Sequence, residues 1–155
     1  MPPSPTVESF WQAYLLTLPP GAQPPQRFDS WHFCDNQPDA DALVELVLRG
    51  IKRATCGMLW AYEAEGEALP QVGDLSVVTD WQGSPRCVIR LTEVEVKPYN
   101  AVSADFAAAE GEGDRSLAYW RQAHWQAFSR ECAEISQTPS EDMPLVCQRF
   151  EVVYP

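Results

Sequence analysis

Inside the longest strand-like stretch of this chain the alternation of side chains changes phase once, and little else in the sequence limits the fold so sharply. Between Arg86 and Lys97, Cys87, Ile89 and Leu91 are apolar at odd positions, while Val94 and Val96 are apolar at even ones. In a flat strand that switch would turn half of these side chains to solvent, because successive residues point to opposite faces. One extra residue near Thr92 and Glu93 restores the face. A β-bulge of this kind bends a strand as a closing barrel requires.

The flanking patterns place helices around this curved sheet. Phe10, Trp11, Tyr14, Leu15 and Leu18 form one helical stripe over about residues 6–18, with Thr6 as N-cap. Pro19-Pro20-Gly21 and Pro24-Pro25 break it, and Arg27 to Asp35 reads as a first strand. Pro38 suits the first turn of a second helix, Asp39 to Arg49, and Gly50 stands where a C′ glycine ends one. Met58 to Glu65 is a short aromatic-bearing helical turn or loop. Leu75 to Thr79 is a strand, joined by Trp81 to Pro85 to the bulged one. A short helix spans about 104–109, and Ser116 caps a longer amphipathic one to about Ile135, with Leu117, Trp120, His124 or Trp125, Phe128 and Cys132 inward. Leu145 to Tyr154 is the last strand. Irregular mixing without a βαβ rhythm predicts an α+β fold of five to six strands with flanking helices, in one domain over residues 1–155.

Composition bounds the function. At 155 residues and 45% hydrophobic, one ordinary core forms without staples. The five cysteines show neither CxxC nor a zinc spacing, so they read as reduced core thiols, with no metal or cofactor motif. No apolar run spans a bilayer, and Met1 to Thr6 lacks the basic start of an export signal, so the expected location is cytoplasmic with no membrane partner. The net charge of −11 opposes a long polyanion, since phosphate neutralisation drives most nucleic-acid affinity. A long duplex is therefore not expected. Arg49, Lys52 and Arg53 are the best candidate for a local basic cleft that takes a short ligand.

Two segments carry candidate chemistry. In Gly50-Ile-Lys-Arg-Ala-Thr55, a lysine beside two arginines and partly desolvated is expected to lose some preference for its charged form. It then suits a base or an oxyanion ligand, and Thr55 offers a hydroxyl for it to activate. The bland reading is a solvated charge at a helix C-terminus. Lys52 and Thr55 share one cleft only if the chain turns between them. In Glu110-Gly-Glu-Gly-Asp-Arg115 the glycines permit a tight turn or close approach to a ligand. The acids suit the following helix end as well as proton donation. Trp60, Tyr62, Tyr119 and Trp120 are candidates for stacking on a base, Trp60 foremost because it follows the basic segment. His124, among aromatics on a helix, reads as a packed residue.

These residues resemble a known family. Gly50-x-Lys52-x-x-Thr55 after an amphipathic helix is similar to the signature of ASCH domains. Glu110-Gly-Glu-Gly-Asp-Arg-Ser-Leu-Ala-Tyr-Trp-Arg-x-x-His124-Trp and Glu141-Asp-Met-Pro-Leu-Val-Cys-x-Arg-Phe150 resemble its larger bacterial members. The resemblance runs from about Trp31 to Tyr154 and leaves the N-terminal helix outside. It implies a PUA-like β-barrel with a cleft for a modified nucleoside or short single-stranded RNA. Some members are similar to amidohydrolases of N4-acylated cytidine, in which a lysine, a threonine and a glutamate act. The lysine falls on Lys52, the threonine on Thr55, and the glutamate on Glu112, with Glu110 as the alternative. Arg49, Arg53, Trp60, Glu110, Asp114, Arg115 and Tyr119 are the expected substrate-binding residues. A single-strand ribonuclease and a non-catalytic RNA-binding module are the other readings of the same cleft.

Overall fold

The structure, a computed structural model, describes residues 5–155; Met1 to Ser4, part of the segment used to judge export, lie outside the described residues. Five strands form one curled sheet: β1 (Asp29–Trp31), β2 (Ala54–Met58), β3 (Leu75–Thr79), β4 (Pro85–Pro98) and β5 (Pro144–Tyr154). Their order is β1-β3-β4-β5-β2, with β1 parallel to β3 and every other pair antiparallel. The sheet is an open half-barrel of the PUA-like type, α+β as expected. The first strand is much shorter than the predicted Arg27–Asp35.

The bulge falls where the phase switch put it. Leu91 pairs with Phe150 and Glu93 with Arg149, so Thr92 is the extra residue. Its consequence is that Cys87, Ile89, Leu91 and Val94 all join one apolar cluster with Val44, Val47 and Phe150. Val96 does not follow them and is 46% exposed. The bulge therefore lets one long strand keep a single inner face while it bends.

Five helices pack on this sheet: α1 (Val7–Leu15), α2 (Gln37–Leu48), α3 (Leu59–Glu65), α4 (Ala104–Glu110) and α5 (Leu117–Glu134). Thr6, Asn36, Ser103 and Ser116 each accept a backbone N–H of the following first turn, which satisfies a donor that a helix start leaves free. On α1, Trp11 and Tyr14 bury against Leu75, Val77 and Val88 on one face of β3 and β4. On the opposite, inner face, α2 covers Val78 and Ile89. The outward side chains of β2 and β5, among them Ala54, Met58, Leu145 and Cys147, pack with Phe106 of α4 and Trp120, Phe128 and Cys132 of α5. Each large side chain buried in this way contributes about 1.5–3 kcal/mol, so α5 is held by packing rather than by intrinsic propensity.

Candidate active site

The end of α2 delivers Lys52. Gly50 takes φ +75, the Gly50 N–H donates to the Val47 carbonyl and the Ile51 N–H to that of Leu46. This is the two-bond arrangement that reverses a chain at a helix C-terminus. Ile51 to Arg53 consequently lie outside the strand, and the Arg53 N–H donates to Ala109 O at 2.6 Å, tying this segment to the end of α4. The turn lies before Lys52, at Gly50, and not between Lys52 and Thr55. It points Lys52 inward, where the side chain is 2% exposed.

The acidic turn meets it from the other side. Gly111 ends α4 at φ +72, and a Cβ there would stand 2.5 Å from the Ile51 carbonyl oxygen. Gly113, at φ +59, packs under the Tyr119 ring, which a Cβ there would meet at 2.4 Å and push aside. The glycines thus let the turn approach the chain's own backbone. Lys52 Nζ lies 3.4 Å from Glu110 O and 3.4 Å from Glu112 Oε2, and 5.3 Å from the centre of the Phe33 ring. Glu110 is 1% exposed; its Oε2 accepts from Trp120 Nε1 at 3.0 Å and lies 2.8 Å from His124 Nε2. The His124 ring stacks on Trp120 at 4.2 Å.

These contacts set the charges. Burial pushes the Lys52 pKa down, but Glu110 and then Glu112 outweigh it, and the net direction is up. Lys52 is therefore held as an ammonium, the reverse of the expectation drawn from its arginine neighbours. Burial likewise pushes Glu110 up, yet the Lys52 charge and the His124 hydrogen bond bring it down to about 2. Glu112 goes the other way: burial raises it, Lys52 lowers it, and Glu110 tips the balance upward. Of the two carboxyls, Glu112 is the one that takes up a proton more readily than an ordinary glutamate. His124 loses some basicity to burial and regains more from Glu110, so its pKa is raised.

Thr55 belongs to a different wall. It sits in regular β2 opposite Gln148 of β5, and both line a cavity of about 670 Å³ in the mouth of the half-barrel. Every strand contributes to that lining: Asp29, Ser30 and Trp31 from β1, Thr55, Cys56 and Gly57 from β2, Ser76, Leu91 and Gln148 from β3, β4 and β5. Tyr62 of α3 and Glu67, Ala68 and Pro70 beyond it complete the wall. Thr55 is not among the hydrogen-bond partners of Lys52. Cys56, next in the strand, turns to the other face and adjoins Glu110 and His124 while still reaching the cavity. It links the two clusters.

A match to the ASCH domain family model covers residues 29–154. The chain belongs to the ASCH domain family. Among solved structures it is similar to the ASCH domain from Lactobacillus crispatus JV V101, at 44% identity and TM-score 0.89, over 96% of this chain and 94% of that one. It is also similar to protein EF3133 from Enterococcus faecalis V583, at 40% identity and TM-score 0.84, over 96% of this chain and 88% of that one. No curated protein matches it. The 4% of the chain left over is fewer residues than the nine of α1, so at least part of this helix lies within the structurally matched part although the family model begins after it.

In this ASCH domain the expected site residues do not all come together. Lys52, Glu112 and Glu110 come together. Arg49 and Arg53 are exposed while Lys52 is buried between carboxylates, so the expected single basic cleft does not form. Gly50 reverses the chain between Arg49 and Lys52, and alternate residues beyond it face opposite ways. Asp114 accepts the Ser116 N–H at 2.8 Å as part of the turn, and Arg115 and Tyr119 are exposed beside it; none of the three lines the cavity. Trp60 packs half-buried against the α4–α5 core, and it is Tyr62, on another side of α3, that faces the cavity.

Sequence reasoning missed His124, Cys56 and Gln148. Glu-x13-His in an acidic turn and the following helix was the available signal for His124, but its meaning depends on the packing of α4 against α5. Ligand atoms of Cys56, Glu110 and His124 lie within 4.8 Å of one another, the spacing of a metal ligand set. The chemistry of the donors does not suit a cation. Glu110 Oε2 is already committed to Trp120 and His124, and the Lys52 ammonium lies against the same residue.

Proposed function

We propose that this ASCH domain is a hydrolase that removes the acyl group of N4-acylated cytidine nucleosides, with Lys52, Thr55 and Glu112 as its catalytic residues. The family is generally associated with RNA-related function, and the proposal narrows this to one reaction. The observation that carries it is the 3.4 Å contact of Lys52 with Glu112, which unites the lysine motif with the acidic turn across 60 residues of sequence.

In the reaction, the Thr55 hydroxyl oxygen bonds to the acyl carbon and its proton passes, relayed by water between the cavity wall and the Lys52–Glu112 pair, to the Glu112 carboxylate. The carbon–N4 bond breaks as N4 takes that proton, which leaves cytidine and an acyl ester on Thr55. Water then attacks the ester and gives a proton to Glu112, which passes it to the Thr55 oxygen as the carbon–oxygen bond breaks, so that the free acid leaves and both side chains are restored. The Lys52 ammonium steadies the negative charge that develops on the carbonyl oxygen and holds Glu112 in place. The raised pKa of Glu112 suits a carboxyl that must both take and give a proton. The base role expected for Lys52 passes to Glu112, because a lysine held charged has no free electron pair.

The test is incubation of the protein, in parallel, with N4-acetylcytidine and with a single-stranded oligoribonucleotide. The expected products are cytidine and acetate, with the oligonucleotide intact. Cleaved oligonucleotide beside intact nucleoside makes the domain a ribonuclease, and no turnover of either makes it a binding module.

A further inference from the structure

The cavity at the mouth of the half-barrel has an unusual charge for a domain tied to RNA. Among the residues that line it there is no lysine and no arginine, while Asp29 on β1 and Glu67 after α3 bring two carboxylates to it. The pKa of Glu67 is raised by Glu65, then by loss of water, and in smaller part by Asp29. With a net charge of −11 behind them, these acids repel a phosphate, and no lining group is there to neutralise one. An uncharged or cationic group suits this lining better than an anion.

Its other features suit a heterocycle. A volume of about 670 Å³ lies within the range of pockets that hold small molecules. Trp31 and Tyr62 supply aromatic surface for stacking. Gln148 is 9% exposed, and its Nε2 donates to the Tyr62 hydroxyl at 3.2 Å. That bond uses one of its two amide N–H groups and orients the side chain. The remaining N–H and the carbonyl oxygen form a donor beside an acceptor, complementary to a heterocycle edge that offers an acceptor beside a donor, such as N3 and N4–H of cytosine. Gln148 stands opposite Thr55 in the β2–β5 ladder, so a base read by Gln148 lies alongside that hydroxyl.

We infer that this cavity selects unphosphorylated pyrimidine nucleosides against nucleotides and RNA, with Gln148 reading the base and Asp29 and Glu67 rejecting the phosphate. The inference deepens the deacylase reading and rests on it for the identity of the base, but it concerns binding, which is measured without turnover.

The experiment is calorimetric titration of the protein with cytidine and with cytidine 5′-monophosphate at low and at physiological salt. Cytidine binds, and the monophosphate binds about tenfold more weakly or worse at low salt, with the gap narrowing as salt screens the carboxylates. In D29N/E67Q most of the gap between cytidine and its monophosphate closes. Gln148→Leu loses about tenfold or more in cytidine affinity, while Gln148→Glu, which keeps shape but removes the donor, distinguishes lost pairing from lost packing by losing affinity as well. Equal affinity for cytidine and its monophosphate overturns the inference, as does an unchanged gap in D29N/E67Q or a failure of cytidine to bind. Discriminating binding without hydrolysis of N4-acetylcytidine leaves the inference standing and removes the deacylase reading. Hydrolysis without discrimination does the opposite.

Discussion

Lys52 and Glu112 meet at 3.4 Å because two glycine turns, Gly50 after α2 and Gly111 after α4, reverse the chain toward each other. A 2%-exposed ammonium is tolerated only because Glu112, the Glu110 carbonyl and the Glu110 charge surround it. Replacing Glu112 by Gln keeps the shape and removes the carboxylate that the deacylase account uses as proton carrier. The expected result is a fall in kcat for N4-acetylcytidine of about 10²–10⁴-fold with little change in KM. Steady-state kinetics of E112Q checks this, and a wild-type kcat would remove Glu112 from the reaction.

Gly111→Ala is expected to destabilise far more than Gly21→Ala. Both glycines have positive φ, but a Cβ at Gly111 would meet the Ile51 carbonyl at 2.5 Å, whereas nothing lies within 4 Å at Gly21. The strain common to both is about 1–2 kcal/mol. The backbone clash at Gly111 brings the expected loss to about 3 kcal/mol or more. Urea denaturation of the two variants makes the comparison, and equal losses would show that α4 and the Lys52 segment are not in tight contact.

How much of this was legible follows from the range of each interaction. The bulge at Thr92 and the caps at Thr6 and Ser116 were readable because each is written within a few residues. The parallel pairing of β1 with β3 was not, because strand order depends on contacts distant in sequence. Arg49, Lys52 and Arg53 looked like one basic cluster because adjacency in sequence was taken for adjacency of side chains. The left-handed Gly50 sends Lys52 inward and leaves both arginines outside. Trp60 and Tyr62 were similarly confused: two residues apart on a helix means nearly opposite faces, so one packs and the other reaches the cavity. The Glu110–His124–Trp120 network needed the packing of α4 on α5 before its members became neighbours.

The pH dependence of stability above neutrality reports His124. Its folded pKa is raised, chiefly because the Glu110 hydrogen bond overcomes burial, so the stability it supplies is complete below the ordinary value of 6.5. That stability is lost as pH rises through the raised value. Other groups facing it act elsewhere: Glu110, at about 2, is ionised throughout, and Cys56 and Lys52 have pKa values raised above 9.0 and 10.5. Glu112, also raised from 4.5, loses its own contribution as pH rises. Its loss adds to that of His124, so the variant comparison is essential. Between pH 6 and 8.5, His124→Gln should flatten the decline in denaturation midpoint seen in the parent. An identical slope in both proteins would mean that His124 does not change its charge on folding.

The deacylase account turns most directly on Thr55, the one of its three proposed catalytic residues that lines the cavity. The measurement is kcat/KM for hydrolysis of N4-acetylcytidine by Thr55→Val, a variant that keeps the β-branched shape in β2 while removing the hydroxyl. The account predicts a folded protein whose kcat/KM falls by about a thousandfold or more. A Thr55→Val enzyme as active as the parent, or a parent that leaves N4-acetylcytidine intact, would contradict it.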